Sequence, residues 1–270
     1  MNTTQPILIF DSGVGGLSIF DAVRQRLPDE CYCYACDNAA FPYGPKPEAE
    51  LVARVDAVLS ALVARVAPKM LIVACNTAST VALPRLREKF SLPIIGVVPA
   101  IKPAAQISHN KIIGLLATPG TVSRRYTDDL IREFAGHCDV IRVGSRELVA
   151  LAEAKLRGDS IDQSLLTEIL SPFFQETRRQ ADTIILGCTH FPLLRDELQL
   201  AAPQVLHWVD SGDAIARRAI QVLPCPATAR APNLALFTAP DPLLAQLMPA
   251  LTQRDLNTVE YLTIIEGETT

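Results

Sequence analysis

The sequence lacks a long apolar run, a surplus of basic residues and a leader with a charged start and an apolar centre. Without an apolar stretch of about 20 residues, we do not expect a membrane-spanning helix. The 25 Lys and Arg residues are outnumbered by 29 Asp and Glu residues, which argues against nucleic acid as the main partner. The segment Met1–Pro6 is polar and does not resemble a signal peptide, so we expect a cytoplasmic protein.

Three patterns that would indicate a metal or an organic cofactor are incomplete. The glycine-rich turn at 13–16 is followed by Ser18, where a dinucleotide-binding fingerprint needs Gly. The three cysteines between 31 and 36 have no second pair of ligands, so they do not predict a zinc site. No lysine lies among the polar residues at the predicted strand ends, where a pyridoxal phosphate enzyme would need one for its Schiff base. We therefore expect neither a metal nor pyridoxal phosphate.

Short apolar runs alternate along the chain with longer amphipathic stretches. This alternation predicts an α/β protein with mainly parallel sheets flanked by helices. One of the predicted helices covers 161–179. The predicted strands are 7–10, 30–35, 70–74, 94–98, 111–116, 140–143, 183–186 and 206–209. In sheets of this kind, ligands bind beyond the carboxyl ends of the strands.

Two cysteines stand at matching strand ends. Leu71–Thr77 and Ile184–His190 each contain a strand, a small residue, a cysteine and two hydrogen-bonding residues. This repeat predicts two similar domains, each offering one cysteine to a shared cleft. A lone buried cysteine is usually a core residue. Two thiols with polar neighbours instead suit racemisation, in which one group removes a proton from a carbon and the other returns one to its opposite face. Cys75 and Cys188 are therefore the candidate acid/base residues.

The residues after each cysteine fit a small zwitterionic substrate. Asn76 and Thr77 on one side, and Thr189 and His190 on the other, can hydrogen-bond a carboxylate or an ammonium group. His190 can also assist Cys188 in proton transfer. The alternative for His190 is a structural histidine.

Two further polar segments follow predicted strands. Asp11 and Ser12 come directly after the first strand, where a carboxylate can hold an ammonium group or orient the Cys75 thiol. The alternative for Asp11 is a cap on the next helix, and the two roles are compatible. The loop Pro42–Gly44 is stiffened by prolines, and Tyr43 is a candidate cover for the site.

Taken together and in order, six motifs resemble the glutamate racemases of the aspartate/glutamate racemase superfamily. The motifs are Phe10–Ser18, Pro42–Gly44, Ala74–Ser79, Gly96–Pro99, Ala117–Thr121 and Gly187–Pro192. The resemblance covers about residues 7 to 213, and each motif alone is less specific than the ordered set.

The resemblance implies cofactor-independent interconversion of L-glutamate and D-glutamate, which supplies D-glutamate for peptidoglycan, cell wall biogenesis and cell shape. It implies an N-terminal domain of residues 1–98 completed by 210–270, a second domain of residues 99–209, and an active site in the cleft between them. Cys75 would take the α-proton from D-glutamate and Cys188 from L-glutamate, assisted by Asp11 and His190 respectively. The implied substrate contacts are Asp11, Ser12, Pro42, Tyr43, Gly44, Asn76, Thr77, Thr118, Thr121, Thr189 and His190.

The nearest alternative is an aspartate racemase or a related carbon-acid isomerase. Aspartate racemases typically have His where this chain has Ser79, and Glu where it has His190, so glutamate is the expected substrate. A third alternative is a non-catalytic amino-acid binding protein, against which the two cysteines argue. The resemblance further implies a homodimer. Only six residues precede the first predicted strand, so activation by a peptidoglycan precursor, which the family links to an N-terminal extension, is doubtful.

Overall fold

The computed structural model describes residues 5–176, 179–226 and 231–264. The described residues divide into two compact units. Unit 1 comprises those up to Val97 together with those from Gly212 onward, and unit 2 is Val98–Ser211. The domain boundaries predicted from the sequence lie one and two residues from these divisions.

The strands are short and evenly spread along the chain. In chain order they are β1 (Ile7–Asp11), β2 (Tyr32–Cys36), β3 (Met70–Val73), β4 (Ile94–Gly96), β5 (Ile112–Ala117), β6 (Asp139–Gly144), β7 (Thr183–Leu186), β8 (His207–Val209), β9 (Leu234–Phe237) and β10 (Val259–Tyr261). The helices are α1 (Leu17–Arg26), α2 (Glu48–Val66), α3 (Asn76–Lys89), α4 (Ile101–Ile107), α5 (Pro119–Val122), α6 (Arg125–Phe134), α7 (Glu147–Leu156), α8 (Gln163–Leu170), α9 (Arg195–Ala201), α10 (Gly212–Val222) and α11 (Leu244–Thr252).

The described strands form two sheets, and every pairing between them is parallel. The sheet of unit 1 has the order β10-β9-β2-β1-β3-β4, and that of unit 2 has the order β6-β5-β7-β8. The predicted α/β class with mainly parallel sheets is therefore confirmed. The register places Ile7 of β1 between Tyr32 of β2 and Met70 of β3.

The sheet of unit 1 is covered on both faces, which explains its continuous apolar strands. Successive side chains of a strand point to opposite faces. Leu8 and Leu71 belong to one apolar cluster with α2 and α3. Tyr32 and Tyr34, on the other face of β2, make edge contacts with Phe20 of α1. Burial on both faces stabilises each central strand through the hydrophobic effect.

Local sequence signals explain where helix α2 begins and ends. It begins after Pro47 with Glu48 in its first turn, and it has Arg65 in its last turn, so both charges complement the helix dipole. It ends at Val66, and the next residue, Ala67, adopts the left-handed conformation with φ of 44°. The buried residues Leu51, Val55, Val58, Leu59 and Leu62 recur at helical spacing and face the sheet.

The predicted helix over 161–179 is wrong in its second half. Helix α8 ends at Leu170, and a single 3-10 turn, Ser171–Phe173, follows it. Pro172 has no backbone N–H to donate and its ring obstructs the preceding turn, which favours the end of the helix there. Residues 177 and 178 of the predicted helix lie outside the described residues.

None of the helices in the described ranges combines the length with the apolar character needed to traverse a lipid bilayer.

Parallel strands bring all their carboxyl ends to one edge of a sheet. Asp11, Asp37 and Cys75 therefore share an edge of the unit 1 sheet, and Thr118 and Cys188 follow neighbouring strands of the unit 2 sheet.

Candidate active site

Cys75 lies where strand β3 turns into helix α3. It is the residue before the first helical turn, and 6% of it is exposed. The Oγ of Ser12 lies 3.8 Å from its Sγ, within reach of a hydrogen bond to sulfur. The N-terminus of a helix stabilises negative charge, so the position suits a thiolate. The structure thus brings Ser12 and Cys75 together from two adjacent strand ends.

Asp11 organises the turn that carries Ser12. Its side chain is fully buried, Oδ1 accepts from the Ser12 N–H at 2.8 Å, and Oδ2 accepts from the Gly16 N–H at 2.6 Å. A Cβ on residue 16 would lie 2.7 Å from the Asp11 Cβ, so only glycine allows this approach. Asp11 thus holds the turn before α1, whose N-cap is Gly16, and it is not itself the N-cap residue.

The residues after Cys75 form the first turn of α3. Asn76 and Thr77 are both buried there, one and two residues beyond the thiol. Ser79 has a different role: its Oγ donates to the Val73 carbonyl at 2.9 Å and accepts from the Val97 N–H at 3.0 Å. Ser79 therefore ties the end of β3 to the chain after β4.

The loop Pro42–Gly44 is anchored to the protein core through the side chain of Tyr43. The Tyr43 ring is buried in the same apolar cluster as Cys75, and its hydroxyl donates to Asp37 Oδ2 at 2.5 Å. Burial, followed by the neighbouring Asp37 charge, raises the pKa of Tyr43 far above its usual range, so the hydroxyl remains a donor. The ring lies in the core and is not exposed to solvent, so Tyr43 is not an exposed turn aromatic.

The second cluster of site residues surrounds Cys188 in unit 2. Cys188 is the second residue after β7, separated from it by Gly187, and is 8% exposed. The Nδ1 of His190 lies 3.8 Å from the Cys188 Sγ. His190 and Thr189 are both buried. The thiol and the imidazole predicted to cooperate are therefore neighbours.

Glu153 is a functional candidate that the sequence analysis missed. Its Oε1 lies 2.9 Å from the Nε2 of His190, and its Oε2 pairs with Arg157 at 2.7 Å. A carboxylate on one imidazole nitrogen sets which nitrogen carries the proton and supports the charged form. Glu153 occupies an ordinary position within α7, far from His190 in the chain, so the sequence contained no signal for this contact.

Thr118 and Thr121 follow the strand adjacent to β7. Their hydroxyl oxygens lie 3.0 Å apart, and the Thr127 hydroxyl donates to the Thr121 carbonyl at 2.6 Å. Thr121 is fully buried, whereas Thr118 retains a little exposure. Thr118 is therefore the better placed of the two to touch a ligand.

The cysteines between 31 and 36 are core residues of β2 and its start. Burial raises the pKa of the Cys33 thiol to about 12. Cys31 Sγ accepts from the Ala231 N–H, and Cys36 Sγ donates to the Ser12 carbonyl. Across the described ranges, no group of three or more His, Cys, Asp or Glu side chains is placed to hold a metal ion.

Each unit thus presents a buried thiol at a strand end, next to a hydroxyl in unit 1 and an imidazole–carboxylate pair in unit 2. Thiols with such partners can exchange protons with a carbon acid. The fold and the two clusters define an α/β protein equipped for thiol-based acid/base chemistry on a small polar molecule. Residues 17–219 match the model of the Asp/Glu/hydantoin racemase family. The chain belongs to this family.

Curated relatives and solved structures agree with that assignment. The chain is 50% identical over 263 residues to a glutamate racemase of Escherichia coli O7:K1, covering 96% of this chain and 92% of the relative. It is similar to the crystal structure of E. coli glutamate racemase in complex with L-glutamate and the activator UDP-MurNAc-Ala, with a TM-score of 0.92, 49% identity and coverage of 97% and 99%. It is also similar to the glutamate racemase isoform RacE1 of Bacillus anthracis, with a TM-score of 0.81, 25% identity and coverage of 97% and 98%.

Proposed function

We propose that this protein is a glutamate racemase that interconverts L-glutamate and D-glutamate by direct proton transfer, without pyridoxal phosphate or a metal. The observation that carries the proposal is the 50% identity to glutamate racemases across almost the whole chain, with both strand-end cysteines in place. The product D-glutamate supplies peptidoglycan synthesis. The reaction takes place in the cytoplasm, where thiols remain reduced.

The chemistry requires one thiolate and one thiol. The thiolate removes the α-proton of glutamate, which leaves the electron pair on the α-carbon, and the opposite thiol donates its proton to the other face. Cys75 removes the proton from D-glutamate, and Cys188 removes it from L-glutamate. Each turnover exchanges the protonation states of the two cysteines, and either proton exchange with water or the reverse reaction restores them.

The hydrogen-bond partners of the two thiols support this exchange of protons. Ser12 hydrogen-bonds Cys75, and Asp11 fixes the turn that carries Ser12. His190 hydrogen-bonds Cys188, and Glu153 holds the far nitrogen of the imidazole. An imidazole with a carboxylate behind it stabilises a thiolate better than a neutral imidazole does.

Glutamate itself carries two carboxylates and one ammonium group. We propose that it contacts the residues implied by the family resemblance: Asp11, Ser12, Pro42, Tyr43, Gly44, Asn76, Thr77, Thr118, Thr121, Thr189 and His190. The buried side chains of Asp11, Tyr43 and Thr121 already hydrogen-bond to protein atoms. We therefore propose that these three residues either position neighbouring groups or contact glutamate through their main-chain atoms. Assembly as a homodimer remains a prediction.

The decisive experiment follows the α-hydrogen. Purified protein with no added pyridoxal phosphate is incubated with each glutamate enantiomer in deuterated water. We expect deuterium at the α-carbon and loss of optical rotation, and we expect no comparable exchange with aspartate. The assay is run with and without UDP-MurNAc-Ala, because the E. coli racemase was solved with that activator. Absence of exchange with either enantiomer under both conditions contradicts the proposal, and tight glutamate binding without exchange indicates a binding protein.

A further inference from the structure

A buried carboxylate lies under the loop Pro42–Gly44 and receives side chains from three separate segments. Asp37 follows β2 and is fully buried. The Arg54 Nε donates to Asp37 Oδ2 at 2.9 Å and Nη2 donates to Oδ1 at 2.7 Å. The Tyr43 hydroxyl donates to Oδ2 at 2.5 Å, and the Thr238 hydroxyl donates to Oδ1 at 2.7 Å. These four residues are called the Asp37 cluster below.

The geometry of the Asp37 cluster is that of a rigid anchor. Each carboxylate oxygen accepts from two donors, and the Arg54 fork engages both oxygens at once. A buried carboxylate is costly unless it is paired and hydrogen-bonded, so each donor is needed to keep Asp37 in place. The cluster therefore resists displacement of any of its members.

Two members of the cluster come from elements outside the loop. Arg54 projects from α2, and its side chain is largely buried. Thr238 follows β9, which pairs with β2 in register Cys36 to Phe237. The adjacent residues repeat this link, because the Asn38 amide donates to the Ala239 carbonyl and accepts from the Ala239 N–H. The C-terminal segment is thereby attached directly beneath the loop.

The cluster acts on the loop through Tyr43. The Tyr43 ring packs against Phe10 with centroids 6.4 Å apart and belongs to the same apolar cluster as Cys75. With its hydroxyl on Asp37, Tyr43 sets the position of the main chain between Pro42 and Gly44. The loop's contact with a ligand then comes from that main chain.

We propose that Arg54 and Thr238 are positioning residues for substrate binding: through Asp37 they fix Tyr43 and hold the Pro42–Gly44 main chain beside Cys75. This inference rests on the proposed racemase function. Neither residue touches the reacting atoms, so their loss weakens the binding of glutamate more than it slows proton transfer.

The test compares KM and kcat for both glutamate enantiomers in four variants. We expect Arg54→Gln to raise KM about tenfold, as expected for loss of a charged hydrogen bond, while kcat falls by less than about threefold. Thr238→Val should raise KM by about threefold, because it removes one neutral donor. Arg54→Lys should recover part of the loss, since it restores the charge without the fork. Arg65→Gln is the control, because Arg65 is on the same helix and pairs with Glu260 at the surface.

A second measurement separates positioning from general stability. Hydrogen–deuterium exchange of the peptide covering 41–50 should speed up in Arg54→Gln and Thr238→Val, and should be unchanged in Arg65→Gln. The double variant Arg54→Gln/Tyr43→Phe should have a KM no higher than the worse single variant, because both changes break the same anchor. If Arg54→Gln does not fold, Thr238→Val and Tyr43→Phe carry the test.

The outcomes distinguish this inference from the proposed function. A wild-type protein that does not racemise glutamate overturns the proposed function and this inference with it. An active wild type whose Thr238→Val and Arg54→Gln variants keep the wild-type KM and loop exchange overturns the inference alone. A fall in kcat with unchanged KM also overturns it, because that result assigns the residues to proton transfer.

Discussion

The buried His190 pairs with the partly buried Glu153: the imidazole Nε2 lies 2.9 Å from the carboxylate Oε1. The other imidazole nitrogen faces the Cys188 thiol at 3.8 Å. The carboxylate is therefore placed to orient the ring whose other nitrogen faces the thiol. Arg157 completes the arrangement by pairing with the second oxygen of Glu153.

Replacement Glu153→Gln tests this relationship. We expect kcat/KM to fall about thirtyfold for both enantiomers, since a hydrogen bond to a charged group contributes about 2 kcal/mol. The factor is the same in both directions because the two enantiomers have equal free energies. The equilibrium constant is therefore one, and kcat/KM for the two enantiomers must be equal in every variant. The isotope effects should diverge: α-deuterated L-glutamate should show a larger effect than α-deuterated D-glutamate, because removal of the proton by Cys188 becomes slower.

The matched control for this change is Glu197→Gln. Glu197 pairs with Lys155 of the same helix as Glu153, at a partly exposed site. Its replacement should leave kcat/KM within about twofold of wild type. If the isotope effects for the two enantiomers are equal in Glu153→Gln, Glu153 does not act through Cys188.

Replacement of either candidate catalytic thiol should abolish most of the activity. Cys75→Ser and Cys188→Ser should each lower kcat/KM by about 1000-fold or more, within the range of general acid–base contributions, because a hydroxyl is a far weaker acid than a thiol. Circular dichroism and thermal unfolding should be close to wild type. Cys138→Ser is the control: Cys138 lies outside both clusters, and its replacement should leave activity intact. Retention of wild-type activity by Cys75→Ser or Cys188→Ser would contradict the two-thiol mechanism.

Ser79 distinguishes this sequence from the aspartate racemase pattern, yet its hydroxyl is bonded to the backbone of Val73 and Val97. We expect Ser79→Ala to lower the free energy of unfolding by about 1–3 kcal/mol, because the buried carbonyl and N–H lose their partner. The ratio of glutamate to aspartate turnover should not change. Ser60→Ala, on the half-buried face of α2, is the control and should cost less than about 1 kcal/mol. A shift toward aspartate would instead make Ser79 a determinant of specificity.

The stability of unit 2 should depend on the ionisation of Asp182. Burial would raise the pKa of Asp182, but hydrogen bonds from the Asn110 N–H, the Ser108 and Thr183 hydroxyls and the His109 N–H together hold it below its ordinary value. A lowered folded-state pKa contributes stability that is complete above the unfolded-state pKa and is lost as pH falls through the folded-state value.

Replacement Asp182→Asn should therefore destabilise the protein at pH 7 by about 1–3 kcal/mol, and the difference from wild type should shrink as the pH falls below about 4. Urea unfolding at a series of pH values measures both quantities. Asp159→Asn, at an exposed position of the same unit, serves as the control and should show little change at any pH. A difference that stays constant down to pH 3 would show that the charge of Asp182 contributes nothing.

Local sequence patterns predicted most of the central sheets and both cysteine clusters. Apolar runs such as Ile7–Phe10 have no alternative but to be buried strands, and the residues directly after them must lie at the carboxyl edge. The prediction failed where the local signal was weak or where two signals conflicted. Strands β9 and β10 are three or four residues long and lie at one side of the sheet. The predicted helix over 161–179 stops before Pro172, although the apolar spacing predicts that it continues.

The sequence by itself determined the α/β class, the strand-end placement of Cys75 and Cys188, and the motifs that identify the family, because each depends on residues adjacent in the chain. Only the tertiary structure decided which side chains support them. Glu153 reaches His190, and Arg54 and Thr238 reach Asp37, through contacts between segments far apart in sequence. Such contacts depend on how helices pack on a sheet, and no periodicity within a single segment specifies them.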